Sequence, residues 1–259
     1  MQSNLEELTN EYLDLVLPKQ FSIEREKVLL DWVNKPRVAR GIVSDFTKRI
    51  GDLNNKKVLD IGFGNGITLK TFAESGANMS GLEVSDNLYK FAEKYLQENN
   101  TTAELKKYNG HDFPFEDETF DYIYSVSVFE HTDDPEQVLK EAARVLKTGG
   151  SFYLAFPNRY NPKETHSGIW FAGWLPRPLS DKLMKLFKRS GIYTYWNLHF
   201  LSYFQLRKWI KKNNLLIKIR FETDSPNTLK RIFKKTLAKL GIHHSVFLAH
   251  VMVVLDKVE

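Results

Sequence analysis

Short apolar runs alternate with amphipathic segments through the middle of the chain, and this alternation predicts strands and helices in turn. Five segments are predicted to be strands: 57–61, 78–84, 103–108, 121–128 and 151–156. Of these, 121–128 has the apolar, β-branched character of a strand buried in a parallel sheet. Three segments between them show the periodicity of helices: 67–75, 87–97 and 135–147. Strands that alternate with helices of this length imply right-handed crossovers and a parallel sheet.

The segments on either side of this core give a weaker pattern. Residues 1–50 have helical apolar spacing, which Asn34-Lys35-Pro36 is expected to interrupt. After Pro157 the regularity lapses. The later predicted elements are a helix at 203–213, a strand at 215–223, a helix at 228–240 and a strand at 245–256.

These elements predict an α/β protein with a doubly wound, Rossmann-like, mostly parallel sheet. At 259 residues the chain has ample length for such a core. We expect a helical N-terminal cap at 1–50 and one further domain at 51–259. Within that domain, 159–214 follows strand five as an insert or lid on the substrate side.

The turn after the first predicted strand has the sequence Asp60-Ile61-Gly62-Phe63-Gly64-Asn65-Gly66. Its glycines let the backbone approach a bulky ligand closely. The next strand delivers Glu83, and a carboxylate at that place can hold both hydroxyls of a ribose. The turn that cradles dinucleotide phosphates has its third glycine one position later, at Ile67 here, and lacks an acid at the position of Asp60. The residues therefore favour a cationic, phosphate-free nucleoside ligand.

This Asp-x-Gly-x-Gly-x-Gly pattern resembles the class I S-adenosylmethionine-dependent methyltransferases. The likeness covers residues 55–158, and it includes the fourth-strand segment 120–131 and the run 144–150 into the fifth strand. It implies a reversed last strand, for which 247–255 is the candidate. It also implies an enzyme that uses S-adenosylmethionine and releases S-adenosylhomocysteine.

The resemblance carries cofactor contacts onto nine positions. The acid of the turn would balance the sulfonium and amino charges, the glycines would lie against the methionine part, and the acid of the second strand would bind the ribose. The expected cofactor-binding residues are Asp60, Gly62, Gly64, Gly66, Glu83, Val84, Asp112, Phe113 and Ser125. For Asp112 the alternative is a cap on the turn before Pro114.

Methyl transfer from a sulfonium is an in-line displacement, for which positioning alone can supply roughly 7–11 kcal/mol. A base is needed only when the acceptor holds its proton tightly. His131 after the fourth strand and His166 in the insert are the candidate catalytic bases, ahead of His199. A structural histidine is the alternative for each. The histidines and carboxylates show no compact ligand spacing, so no metal site is expected.

Charge divides the chain into two unlike parts. Residues 1–158 hold 18 Lys and Arg against 26 Asp and Glu, whereas 159–259 hold 19 against 6. The second part is therefore expected to meet an anionic partner, unless its lysines only solvate the surface. Its two apolar stripes either pack on the sheet or lie on an anionic membrane. They are Leu183, Met184, Leu186 and Phe187 beside Lys182, Lys185, Lys188 and Arg189, and Leu229, Ile232, Phe233, Leu237 and Leu240 among five basic residues.

The leading functional hypothesis is methyl transfer to a small-molecule, lipid-linked or glycan-linked acceptor of anionic character. The enzyme would be cytoplasmic or peripheral to an anionic membrane, because no basic n-region with an apolar run opens the chain and no segment reaches the roughly 20 apolar residues of a bilayer span. The alternatives are a methyltransferase of RNA or protein and a non-catalytic cofactor-binding module. Nucleic acid ranks lower, since no RNA-binding signature appears. The absence of cysteine excludes a cysteine nucleophile.

Overall fold

The computed structural model describes residues 2–17, 22–187 and 198–259. The strands within them are β1 Lys57–Ile61, β2 Asn78–Glu83, β3 Glu104–Lys107, β4 Phe120–Val126, β5 Leu146–Pro157, β6 Ile217–Ile219 and β7 His250–Lys257. The α-helices are α1 Gln2–Val16, α2 Ser22–Ile50, α3 Ile67–Glu74, α4 Asp86–Glu98, α5 Pro135–Val145, α6 Arg177–Leu186, α7 Tyr203–Lys212 and α8 Thr228–Lys239. Short 3-10 helices form at Phe129–His131, Ala172–Trp174 and His244–Phe247.

All seven strands form one sheet in the order β3-β2-β1-β4-β5-β7-β6. Strands β1 to β5 pair in parallel, whereas β7 runs antiparallel to both β5 and β6. The doubly wound, mostly parallel sheet with a reversed last strand is therefore confirmed. Since β1 lies between β2 and β4, the strand order reverses at β1, and the carboxyl ends of β1 and β4 mark the crevice where such sheets bind ligands.

Two hydrophobic layers cover the sheet. On one face, α5 and α7 pack over strand residues that include Ile123 and Phe152. On the other face, α1, α2, α3 and α4 pack together, and Phe46 of α2 lies edge-on to Phe72 of α3 at 4.9 Å between ring centroids. The N-terminal helices thus share the core face that carries the glycine turn.

The structure differs from the predicted elements at several places. Strand β5 begins at Leu146, inside the predicted helix 135–147, and three other differences have a cause in named contacts. Helix α2 continues through Pro36, where a break was expected, because a proline removes only one hydrogen bond from a 29-residue helix that is packed along its length. Strand β6 is shorter than the predicted 215–223, since Glu222 turns away to pair with Arg49 of α2. Strand β7 begins at His250, after a 3-10 helix, because the Asn158 side chain donates hydrogen bonds to the carbonyls of residues 246 and 248.

The described part of the insert is anchored to the end of β5. Arg159 Nε donates to the Gly173 carbonyl at 2.9 Å, and a Cβ on Gly173 would lie 2.5 Å from the Arg159 carbonyl oxygen. Lys188 and Arg189, two of the predicted basic residues, lie outside the described residues. Among the described helices, none combines the length and apolar character that a membrane crossing requires.

The two apolar stripes of the basic part pack differently. In α6 the stripe buries Met184 but leaves Leu186 at the surface. In α8 only Leu237 is buried. Of the two alternatives, packing on the sheet is therefore wrong for most of this second stripe.

Candidate functional site at the carboxyl edge of the sheet

The glycine turn joins the carboxyl end of β1 to α3 at the point where the strand order reverses. Gly62, Gly64 and Gly66 have φ angles of +73°, +56° and +71°, which favour residues without a Cβ. A Cβ on Gly62 would lie 2.5 Å from a methyl group of Val128, and one on Gly66 would lie 2.9 Å from Ala92. A Cβ on Gly64 would meet nothing closer than 4.0 Å. The first and third glycines therefore allow close packing, and the second leaves a surface that a ligand can approach.

Glu83, at the end of β2, is buried and held by three backbone N–H groups. One carboxylate oxygen accepts from Gly64 at 3.0 Å, and the other accepts from Val84 and Ser85, each at 2.9 Å. Each carboxylate oxygen can accept two hydrogen bonds, so capacity remains beside the glycine turn for a ribose hydroxyl. The side chain is oriented before any ligand arrives.

Asp60 lies at 2% exposure under the same turn. Burial, together with the negative charge of Glu83, raises the pKa of Asp60 to about 8. A carboxyl group in such surroundings is stabilised as a carboxylate only when positive charge comes near. A sulfonium or an amino group at the turn would supply that charge, so the residues present fit S-adenosylmethionine.

The remaining predicted contacts fall in different surroundings. Val84 is 51% exposed beside Gly110, which leaves an apolar surface open to an adenine ring. Asp112 is exposed and accepts a hydrogen bond from the Asn109 side chain at 2.9 Å. Phe113 is buried against Tyr108, with 5.6 Å between ring centroids.

Ser125 is fully buried in β4, and its hydroxyl donates to the Ile61 carbonyl at 3.4 Å. This bond ties β4 to the start of the glycine turn. Contact between Ser125, Asp112 or Phe113 and a cofactor stays a prediction.

Two cap residues that the sequence did not single out lie near this site. Burial and the charge of Glu83 raise the pKa of Tyr12 in α1, and the positive charge of Lys35 in α2 acts on Asp60. Tyr12 also contacts Trp32 at 4.9 Å between ring centroids. The cap thus reaches the acids of the turn. Only the aromatic spacing in residues 1–50 could have indicated this, and that spacing is equally typical of ordinary core packing.

A second group of polar side chains follows β4. Ligand atoms of Glu130, His131 and His166 all lie within 4.8 Å of one another. Glu130 is 1% exposed, and neither of its carboxylate oxygens has a hydrogen-bond partner among the described residues. Burial raises the pKa of Glu130 to about 7. Val128, which lies against Gly62, joins this group to the glycine turn two residues before Glu130.

Glu164 orients His166. Its carboxylate accepts from the backbone N–H groups of His166 and Ser167 and from the Ser167 hydroxyl, and it lies 3.2 Å from His166 Nδ1. Burial alone would raise the pKa of Glu164, but these hydrogen bonds lower it to about 2. The carboxylate can only accept, so it favours the His166 tautomer with the proton on Nδ1 and the lone pair on Nε2.

Both histidines that the sequence proposed as bases lie in this group. The rings of His131 and His166 are 5.9 Å apart between centroids, and the Glu130 carboxylate lies beside them. His199 contributes its backbone, since its N–H donates to the Glu130 carbonyl at 2.7 Å. This contact fixes the segment that returns from the insert beside the turn of residues 129–131. Glu130 could not be ranked from the sequence alone, because its burial depends on residues more than 30 positions away.

The group of Glu130, His131 and His166 can act on a proton, and its three side chains are also of the types that hold a divalent cation. No metal site was expected from the sequence, since His166 lies 35 positions after His131 on the chain. The ligand atoms come together only because the insert folds back over the end of β4. A proton acceptor and a cation site are therefore both compatible with this geometry.

A family model described as "Methyltransferase domain" matches residues 59–154. This range begins in β1 and ends in β5, so it contains the glycine turn, Glu83 and the turn at Glu130. The match therefore covers the cofactor side of the site, whereas His166 and the rest of the insert lie outside it.

Curated relatives match between half and two thirds of the chain. The "Ubiquinone biosynthesis O-methyltransferase" of Nitrosomonas europaea is 33% identical over 131 residues, which are 50% of this chain and 55% of that protein. The protein of the same name from Pseudomonas fluorescens strain Pf-5 is 28% identical over 172 residues, 66% of this chain and 68% of the relative. The chain spans about half the length of the first of these relatives.

Solved structures share the fold over most of the chain. The YcgJ protein of Bacillus subtilis has a TM-score of 0.56 at 18% identity, and the match covers 86% of this chain and 99% of that one. A structure titled as geranyl diphosphate methyltransferase in complex with SAM has a TM-score of 0.57 at 15% identity, with 90% of each chain covered. At these identities the likeness shows a common fold.

Proposed function

We propose that this chain, which belongs to the class I S-adenosylmethionine-dependent methyltransferases, transfers a methyl group to a hydroxyl oxygen of a small-molecule acceptor. The observation that carries the proposal is the position of the Glu130, His131 and His166 group, which Val128 joins directly to the glycine turn. A methyl donor at the turn and a proton acceptor beside it are the two requirements for methylating a hydroxyl. The relatives named for O-methylation in ubiquinone biosynthesis favour oxygen over nitrogen or carbon.

The protein's part in the reaction is to position two reactants and to take one proton. Bound S-adenosylmethionine supplies an electrophilic methyl group on a good leaving group. Glu83 and the glycine turn would orient the nucleoside and methionine parts, and Asp60 would balance their positive charge. When the acceptor hydroxyl is methylated, His166 or Glu130 would take the proton that it loses.

The finer description of the acceptor as anionic or lipid-linked is also part of this proposal. A groove of about 510 Å³ beside α7 is lined by Arg159, Lys208 and Lys212, with Glu136 paired to the last of them. It lies next to the anchor of the insert on β5, so an anionic group could be held there by charge. Exposed aromatic side chains of the insert, Trp170 and Trp174 among them, suit an acceptor with an apolar part.

The test is a turnover assay that follows release of S-adenosylhomocysteine with a panel of acceptors: catechols, polyprenylated phenols, phosphorylated phenols, amines and RNA. Methylation of the phenols and not of amines or RNA is expected. In His166→Asn, kcat should fall at least about a hundredfold because proton transfer is lost, whereas cofactor affinity should stay unchanged. His111→Asn, in the exposed loop after β3, is the matched control. Full turnover in His166→Asn, or turnover on RNA alone, would contradict the proposal.

A metal chelator distinguishes whether Glu130, His131 and His166 accept a proton or bind a divalent cation. If the side chains only accept a proton, treatment with EDTA followed by gel filtration should leave turnover unchanged. Loss of turnover that added Mg²⁺ or Zn²⁺ restores would instead assign the three side chains to a divalent cation.

A further inference from the structure

Helix α8 and its C-cap present an unusual apolar surface to solvent. Four of their apolar side chains are at least half exposed: Leu229 at 79%, Ile232 at 56%, Phe233 at 50% and Leu240 at 66%. Phe247 and Leu248, which follow in the chain, are exposed by 64% and 46%. We refer to these six residues as the α8 surface. Large apolar side chains that cluster in this way on a globular domain mark a surface that contacts something else.

The α8 surface is a defined part of the fold. The rings of Phe233 and Phe247 lie 5.7 Å apart, which joins the helix to the 3-10 segment after it. The carbonyls of Val246 and Leu248 both accept hydrogen bonds from the side chain of Asn158, directly after β5. Since β5 ends at the carboxyl edge of the sheet, the end of the α8 surface at Phe247 and Leu248 lies at the edge that carries the candidate site.

Basic residues surround this apolar stripe. Helix α8 contains Lys230, Arg231, Lys234, Lys235 and Lys239 and no acidic residue. At 100° per residue, Lys230 falls on one side of the stripe and Lys239 on the other. Within the described residues, none of the five forms an ion pair with a carboxylate. Their charges are therefore available to an external partner.

We propose that the α8 surface docks on an anionic lipid bilayer. An amphipathic helix with an apolar stripe between cationic side chains can bury the stripe among acyl chains while the charges meet lipid headgroups. Charge complementarity selects an anionic partner, and the exposed Leu and Ile side chains select one with an apolar interior. RNA satisfies the charge condition and could stack on Phe233 and Phe247, but the four exposed aliphatic side chains of the surface offer it no stacking partner. A second copy of this chain would bring like charges together.

Binding of the full chain to vesicles tests the proposal. Sedimentation with phosphatidylcholine vesicles, with or without one third phosphatidylglycerol, should show binding to the anionic vesicles that weakens as salt is raised. Leu229→Gln with Ile232→Gln should weaken binding at least about tenfold through lost apolar burial. Lys230→Gln with Lys239→Gln should weaken it roughly 25-fold, since each charge near an anionic surface contributes on the order of fivefold.

Matched controls come from the N-terminal helices. Leu15→Gln with Leu30→Gln removes two exposed apolar side chains, and Lys27→Gln with Lys48→Gln removes two exposed charges; both double variants should bind as the parent does. Circular dichroism and the thermal midpoint establish that each variant is folded.

Three results would overturn the proposal. The first is an absence of vesicle binding by the parent protein, or equal binding by the α8 and control variants. The second is a dimer in light scattering that Leu229→Gln with Ile232→Gln dissociates, since the stripe is then covered by a second copy. The third is salt-sensitive RNA binding that Lys230→Gln with Lys239→Gln abolishes while vesicle binding is absent.

Discussion

Glu83 is the residue on which cofactor affinity is expected to depend most directly. Replacement by Ala would remove the proposed charged hydrogen bonds to the ribose, and it should weaken S-adenosylmethionine binding by at least about 1 kcal/mol. Isothermal titration calorimetry measures the change. Glu98→Ala, at the exposed end of α4, is the control for the loss of one negative charge. An affinity equal to that of the parent protein would remove Glu83 from the site.

Asp60 should make cofactor binding depend on pH. Its pKa of about 8 means that the carboxyl group is mostly protonated at about pH 6 in the free protein. A cationic ligand favours the carboxylate, so binding should release a proton and tighten as the pH rises, by up to about tenfold per unit until about pH 8. Asp60→Asn should bind weakly with a flat pH dependence. A parent protein whose affinity is constant between about pH 6 and 8 would contradict this assignment.

The Asp60 carboxyl group also makes the stability of the fold depend on pH, and this dependence runs opposite to that of cofactor binding. A carboxyl whose folded pKa lies above its unfolded value holds more protons in the native state between about pH 4 and 8. The free energy of unfolding therefore falls across that range as the pH rises, and Asp60→Asn should flatten the slope.

The sequence could predict a site residue when the other residues of the site lie close to it along the chain. Asp60, the three glycines and Glu83 lie within 24 positions, and their spacing alone placed them at one sheet edge. For Glu130, after the fourth strand, the sequence left a chemical and a structural role equally open, because nothing near it in sequence indicates that both of its oxygens are buried without hydrogen-bond partners among the described residues.

The glycine turn offers a contrast between packing and ligand space. Gly64→Ala should cost about 1 kcal/mol from its positive φ and should abolish cofactor binding, because the new methyl group fills the open side of the turn. Gly62→Ala should cost at least about 2 kcal/mol, since its methyl group overlaps Val128 as well. Urea denaturation and calorimetry measure both effects.

Gly149→Ala is the control for this pair. Gly149 has a φ of +80° with nothing within 4 Å of its Cβ position, and it lies at the amino end of β5. Gly149→Ala should be destabilised by the positive φ, as Gly64→Ala is, but it should keep the full affinity for the cofactor. Retained affinity in Gly64→Ala would mean that no ligand approaches the turn on that side.

Asn158 holds the start of the segment that leads into β7. Asn158→Asp keeps the oxygen that accepts from Tyr160 N–H but loses both donations to the carbonyls of residues 246 and 248. It should lower the free energy of unfolding by at least about 2 kcal/mol and increase amide exchange over 244–249. Asn99→Asp, which loses one bond at a half-exposed helix end, should cost less than about 1 kcal/mol. An equal loss of unfolding free energy in the two variants would show that the hydrogen bonds from Asn158 to residues 246 and 248 are unimportant.

Most elements between β1 and β5 formed where their hydrophobic patterns predicted them, because they bury a full face against neighbouring elements; β3, with exposed ends, is an exception. The predicted strand limits were wrong where a side chain from a distant segment binds to the strand or to the backbone next to it. Asn158 takes the carbonyls that would have extended β7, and Arg49 draws Glu222 away from the edge of β6. Helix α2 continues through Pro36 because it is packed on both sides of the proline, by Trp32 against α1 and α4 and by Phe46 against α3.

At the scale of the whole molecule, the glycine turn and the end of the α8 surface at Phe247 and Leu248 lie at the same edge of the sheet. If both proposals hold, Leu229→Gln with Ile232→Gln should reduce turnover of a polyprenylated phenol in anionic vesicles much more than turnover of a soluble catechol. The ratio of the two rates, measured beside Leu15→Gln with Leu30→Gln, tests the connection. A ratio unchanged from the parent protein would separate membrane docking from delivery of the acceptor.

Strand β7 follows β6 in the chain but lies between β5 and β6 in the sheet. During synthesis, β6 therefore leaves the ribosome before β7, the strand it pairs with. Until β7 follows, the backbone N–H and C=O groups of β6 have no strand partner. Its three residues, with Lys218 in the middle, make a poor template for joining another nascent chain. The shortness of β6 thus protects the protein during the interval in which its sheet is still incomplete.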